Sequence, residues 1–210
     1  MFQKCDKYII MFALLIFIAM FAGCSNPKPE EQSDDTVKVL NEEINTIKSG
    51  LTYATQRASE WRETMHLNTI TAGFDGKEQI KERKGTITFF FYEKSVKKGL
   101  DADAAVTINM KNNSIIKFSS SYGSAKKLGG GAKVLDMEKW TIDIDEAFDL
   151  SIVELGENFI DQYENPKLVL RCSESFLDFD VYSNIDARSP DITVKIDSVK
   201  GEVLEVIDNR

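Results

Sequence analysis

The chain has 210 residues, with 34 acidic side chains against 26 basic ones and a formal net charge of −8. It therefore lacks the basic footprint of a nucleic-acid-binding protein and the polybasic cluster that grips anionic lipid; acidity of this size favours solubility and weak non-specific binding to polyanions. Three cysteines and a single histidine leave little material for redox or transition-metal chemistry.

The N-terminus carries the strongest signal. Lys4 and Lys7 form a positive region, partly offset by Asp6, and Tyr8 to Ala22 is an uncharged apolar run that closes on small residues before Cys24. As a helix the run reaches about 22 Å, short of the ~30 Å hydrocarbon core of a bilayer. The stretch Phe21-Ala22-Gly23-Cys24 resembles the bacterial lipobox, with Phe21 where that box prefers an aliphatic residue. The resemblance implies cleavage of residues 1–23 as a lipoprotein signal peptide and a lipid on Cys24. The mature protein would then sit at the extracytoplasmic face of the cell membrane, the alternative being an uncleaved N-terminal anchor. Removing residues 1–23 takes two lysines and one aspartate, leaving 24 basic and 33 acidic groups, a net of −9. Cys5 leaves with the signal and Cys24 is acylated, so Cys172 stands alone and no internal disulfide can form. Cys172 reads as a small, buried apolar side chain on a strand.

Residues 24–35 contain Pro27, Pro29 and charged side chains and read as a solvated tether, about 30 Å long when extended. Val37, Leu40, Ile44, Ile47, Leu51, Ala54, Ala58, Trp61 and Met65 then recur at three- and four-residue steps. This spacing predicts one long helix with a narrow apolar seam, with Gly50 as a point of bending. The seam suits a helix lying across its own sheet; a coiled-coil dimer is the other reading. Leu67 to Phe74 reads as a strand and Asp75-Gly76 as a hairpin turn, before a solvated stretch from Lys77 to Lys84. Gly85 to Glu93 is a strand with Ile87, Phe89 and Phe91 on one face and Thr88, Phe90 and Tyr92 on the other. Val106, Ile108 and Met110 alternate again, Asn112-Asn113 turns the chain, and Ile115 to Phe118 returns it.

Residues 123–139 include Gly129-Gly130-Gly131 and read as a linker; Ala132-Lys133-Val134 lacks the Lys-Ser or Lys-Thr pair of a phosphate-binding loop. A second run repeats the order of the first. Asp143 with Glu146 marks a helix start, and Ile144, Phe148, Ile152, Leu155, Phe159 and Tyr163 keep helical spacing until Asn165-Pro166. Leu168 to Cys172, Leu177 to Val181, Ile192 to Ile196 and Val203 to Ile207 follow as strands. The resulting expectation is an α+β chain of two helix-on-antiparallel-sheet units, residues 36–122 and 140–210.

The second unit resembles the PepSY domain of metallopeptidase propeptides and exported bacterial proteins. The residues concerned are Asp143-Ile144-Asp145-Glu146-Ala147, the strand from Phe179 to Tyr182, and Val194-Lys195-Ile196-Asp197 with Gly201-Glu202-Val203. The first unit is similar to a degenerate copy, with Val106 to Met110 on the strand and Asn112, Asn113 and Ser114 where the Asp–Gly turn would stand. The resemblance implies a cystatin-like helix cradled by a sheet, and no catalytic residue.

Chemistry is sparse along the whole chain. His66 has no second histidine to join it, and the clusters Asp143/Asp145/Asp149 and Asp101/Asp103 lack the ligand pattern of a calcium loop. Asp178 and Asp180 alternate with apolar neighbours and read as a solvent-facing row, and no Gly-x-Ser-x-Gly elbow occurs. The expectation is no enzyme, no cofactor and no metal. Phe90 and Tyr92 are the candidate partner contact, because exposed aromatic clusters mark interaction surfaces. The function expected is a membrane-anchored, non-enzymatic module that binds an exported protein and, by family analogy, modulates an exported peptidase. The alternative is a structural or sensory envelope lipoprotein that self-associates through its long helix.

Overall fold

Alternating apolar and polar side chains dominate the chain from residue 66 onward, and in the computed structural model they build one antiparallel sheet. The structure describes residues 32–34, 37–97, 100–123 and 134–210. The signal peptide, Cys24, most of the tether and the glycine run of the linker lie outside those residues. The strands are β1 (Gln32–Asp34), β2 (Lys38–Val39), β3 (His66–Asp75), β4 (Thr86–Lys97), β5 (Leu100–Asn109), β6 (Ser114–Gly123), β7 (Lys167–Cys172), β8 (Phe176–Tyr182), β9 (Ile192–Asp197) and β10 (Glu202–Asp208). Among the described residues the helices are α1 (Ile47–Trp61), α2 (Gly76–Glu82) and α3 (Ile144–Leu155), with a 3-10 turn at Met137–Lys139. The class is α+β, as the strand and helix patterns predict.

Strand order is β1-β6-β5-β4-β3-β7-β8-β9-β10, with β2 also on β6. The four strands β3 to β6 form one meander and β7 to β10 another. They meet where β3 pairs with β7, from Ile70 opposite Cys172 to Asp75 opposite Lys167. The sheet is continuous across that seam. Helices cover one face: α1 packs on β4 and β5, and α3 on β8 and β10. Beneath them lies the core, with Ile70, Phe74, Ile87, Phe89, Val106, Phe118, Leu170, Phe179 and Val194 all buried. Phe148 of α3 stands edge-on to both Phe74 and Phe179, with centroids 5.2 Å apart in each pair, the favoured aromatic geometry.

Three element boundaries differ from the sequence expectation. The first helix starts at Ile47, not near Val37. Leu40 and Ile44 are buried, but the backbone N–H of Leu40 donates to the Asn113 carbonyl (2.7 Å) and that of Ile44 to Asn113 Oδ1 (3.0 Å). These bonds hold residues 40–44 on the β5–β6 turn in place of a helical ladder. Thr46 then opens α1 through a capping box with Ser49, whose N–H donates to Thr46 Oγ1 at 2.9 Å. The helix runs through Gly50 without a break. A Cβ there would lie 3.0 Å from the buried Phe89 ring, so the glycine serves close packing. With Ile44, Ile47, Ala54 and Ala58 all buried in the chain's own core, this seam lies across the sheet.

Asp75-Gly76 does not close a hairpin. Gly76, at φ +78°, donates its N–H to the Pro166 carbonyl (2.8 Å) and opens the short helix α2, which buries Ile80 and turns its lysines outward. The second long helix stops at Leu155, because Gly156 takes φ +87°. Phe159 and Ile160 still reach the core, but from turns.

Asp143 joins the halves. Its Oδ1 accepts the N–H of Ile144 at the start of α3 and the N–H of Ile47 at the start of α1, each at 2.7 Å. One carboxylate thus sits at two positive helix ends. Burial pushes its carboxyl up against the pull of these backbone donors. Lys48 Nζ adds a bond to the Trp140 carbonyl at 2.9 Å. The last residues of the proposed linker are packed too, with Leu135 and Met137 buried.

Candidate functional site

The sheet face opposite the helices is polar, and its rows follow directly from the register. One row crosses nearly the whole sheet: Lys117, Thr107, Thr88, Thr71, Arg171, Asp178, Lys195 and Glu205 stand side by side. A second row places Ser119, Ala105, Phe90 and Thr69 together, and a third places Ser121, Asp103, Tyr92 and His66 together. Because successive strand residues alternate faces, the side chains opposite the apolar core positions are those left without a covering helix among the described residues.

Phe90 and Tyr92 both lie on this face. Phe90 is 38% exposed, unusual for a phenylalanine in a central strand. Tyr92 is half-buried, and its hydroxyl donates to Asp101 Oδ2 at 2.7 Å. That bond, with burial second, raises the phenol above its ordinary value. Around them the sheet forms an open concavity of about 780 Å³, whose walls include Asn68, Thr69, Asp103 and Ser121. Ser121 Oγ donates to Asp103 Oδ1 at 2.6 Å, so one wall of the concavity is a bonded polar pair. The site offers an aromatic floor with hydroxyl, amide and carboxylate groups at its margin.

His66 is exposed at the first position of β3. Arg83 Nη1 reaches Asp145 Oδ1 at 3.0 Å and Nη2 reaches Asp149 Oδ1 at 2.6 Å, tying α2 to α3. Asp197 Oδ1 accepts the N–H groups of Val199 (2.9 Å) and Lys200 (2.8 Å), and Gly201 takes φ +72°, the turn chemistry expected of that sequence. Cys172 is buried on β7, and burial pushes its thiol up.

Asp178 and Asp180 differ from the sequence expectation. They share a face as alternation predicts, but they are not a solvent-facing row. Asp180 is 0% exposed, because Arg171 Nε covers Oδ2 and Thr193 Oγ1 donates to Oδ1, both at 2.6 Å. Asp178 is half-buried; burial first, then the neighbouring Asp180, holds its carboxyl above the ordinary range. Arg171, which pairs with Asp180 from the adjacent strand, carries no local sequence signal for that role. Among the described residues no group of three or more histidine, cysteine, aspartate or glutamate side chains converges as a metal site would require. No helix among them is long and apolar enough to cross a membrane. Comparison with family models, with curated proteins and with solved structures finds no match in any of the three.

Proposed function

We propose that this chain is a bacterial lipoprotein, tethered outside the cell by lipid on Cys24, whose sheet binds an exported protein without catalysing a reaction. The observation that carries the reading is the uncovered face around Phe90 and Tyr92. A central strand there presents a 38% exposed phenylalanine in a concavity with polar margins, and exposed aromatics of this kind mark contact surfaces. The two-unit, PepSY-like organisation belongs to the same proposal. Its support is the mirrored strand order on either side of the β3–β7 seam and the helix laid on each half. By analogy with that family the partner is an exported peptidase, a weaker warrant than the surface itself. Self-association through the first helix has less support, since Ile44, Ile47, Ala54 and Ala58 are already buried within the chain.

The experiment is affinity purification from intact envelopes, comparing the natural protein with Phe90→Asp and Cys24→Ala. The expected result is a defined exported protein that co-purifies with the natural chain and is lost with Phe90→Asp. Palmitate label should be present on the natural chain and absent from Cys24→Ala. An unlabelled natural chain would remove the tether, and an exported protein retained equally by Phe90→Asp would remove the surface.

A further inference from the structure

The sheet ends in an open edge. Among the described residues β10 has only β9 as a neighbour, and six of its seven residues are exposed. An uncapped strand edge offers unpaired N–H and C=O groups to any extended chain. Here an apolar hollow borders the start of the edge at Gly201. Register places Val206 opposite Val194 and Val203 opposite Ile196, so both valines point to the face that α3 covers. On that side Leu150 and Val153 of α3, with Ile142 and Gly201, line this hollow of about 350 Å³. Val153 is 80% exposed and Val206 42%. A strand laid against β10 would send alternate side chains onto Val206 and the flank of α3, and the others onto the polar face beside Glu205.

The charge at this edge selects the occupant. Glu202 and Glu205 lie along the strand, and among the described residues neither forms an ion pair. A second copy fits poorly: an antiparallel register pairing all of β10 with itself sets Glu205 directly against Glu205, while Asp208, opposite Glu202, is already paired with Arg210. Like charges directly opposite are destabilising. The same acids are a device that keeps an edge from pairing with itself, and their charge favours a basic strand. We infer that β10 and the flank of α3 form a strand-addition site for an extended segment of another protein, alternating apolar with lysine- or arginine-bearing positions. This mode takes affinity from main-chain bonds and specificity from alternate side-chain pockets. It does not depend on the Phe90 surface.

The test uses the full chain in non-ionic detergent and a short fluorescein-labelled peptide alternating valine with lysine and threonine, read by anisotropy. Saturable binding is expected, weakened roughly tenfold or more by Val206→Asp or Val153→Asp, the scale of a lost apolar anchor. N-methylation of alternate peptide amides should weaken it equally. Glu205→Lys should shift preference to the same peptide with glutamate for lysine, a reversal that misfolding cannot produce. Absence of saturable binding, or equal binding of the methylated peptide, would overturn the site. A dimer in sedimentation that Val206→Asp dissolves would replace the basic strand with a second copy and overturn the occupant.

Discussion

At the scale of single residues, Asp143 bears more structure than a helix cap. Local sequence identifies it as the start of α3, through its capping box with Glu146, and that is what a four-residue pattern can reveal. Its bond to the Ile47 N–H, 96 positions away in sequence, has no local signal. Removing a cap costs about 1 kcal/mol, and this side chain serves two helix ends. Asp143→Ala is therefore expected to lower unfolding stability by about 2 kcal/mol in urea titration. Asp143→Asn should lose less, because one amide oxygen can still accept both N–H groups. Glu93 gives a pH-dependent counterpart. Arg62 Nε lies 2.7 Å from its carboxylate, and this hydrogen bond, opposed by burial, holds the Glu93 carboxyl below its ordinary value. A depressed folded value means the pair stabilises above the unfolded value, about 4.3, and that the contribution disappears as pH falls through the lower folded one. Natural chain minus Glu93→Gln, measured across acid pH by denaturant titration, should be constant near neutrality and shrink in that window.

At the scale of elements, the strands from β3 onward were legible, while β1 and β2 were hidden in the expected tether and helix, and of the long helices' ends only the start of α3 could be read. Period-two alternation marks β4, β5, β7, β8 and β9 because each buries one face on a helix layer. The apolar steps from Val37 to Met65 mimic a helix along their whole length, since Leu40 and Ile44 also enter the core. Pairing of β2 with β6 and the bonds to Asn113, all from other elements, divert the first ten residues of that run. Gly50 tests the packing account of α1. Helix propensity alone favours Gly50→Ala by up to ~1 kcal/mol, but the new Cβ would stand 3.0 Å from the ring of Phe89, and overpacking costs about 1–3 kcal/mol. The expected outcome is a net loss of stability in thermal or urea unfolding. In a Phe89→Leu background, which opens the space, the same substitution should be neutral or stabilising.

At the scale of the molecule, helices cover one sheet face and, among the described residues, none covers the other. Sequence alternation predicts that Phe90 and Tyr92 share a face, but not what lies over that face. That depends on strand order and on where α1 and α3 pack, neither of which a local pattern encodes. The same limit explains Asp180, whose cover comes from Arg171 on β7 and Thr193 on β9. The seam between β3 and β7 likewise pairs segments about a hundred residues apart, as Ile70 opposite Cys172 shows. The central claim is that this open face meets another exported protein. The most direct measurement is a photo-crosslinking amino acid at position 90 in living cells, with the same group at the exposed position Lys117, farther across the face, as the comparison. A discrete crosslinked exported protein at position 90, weaker or absent at 117 and lost when Cys24→Ala releases the chain, is the predicted result. No adduct at position 90 in the anchored protein would contradict the claim.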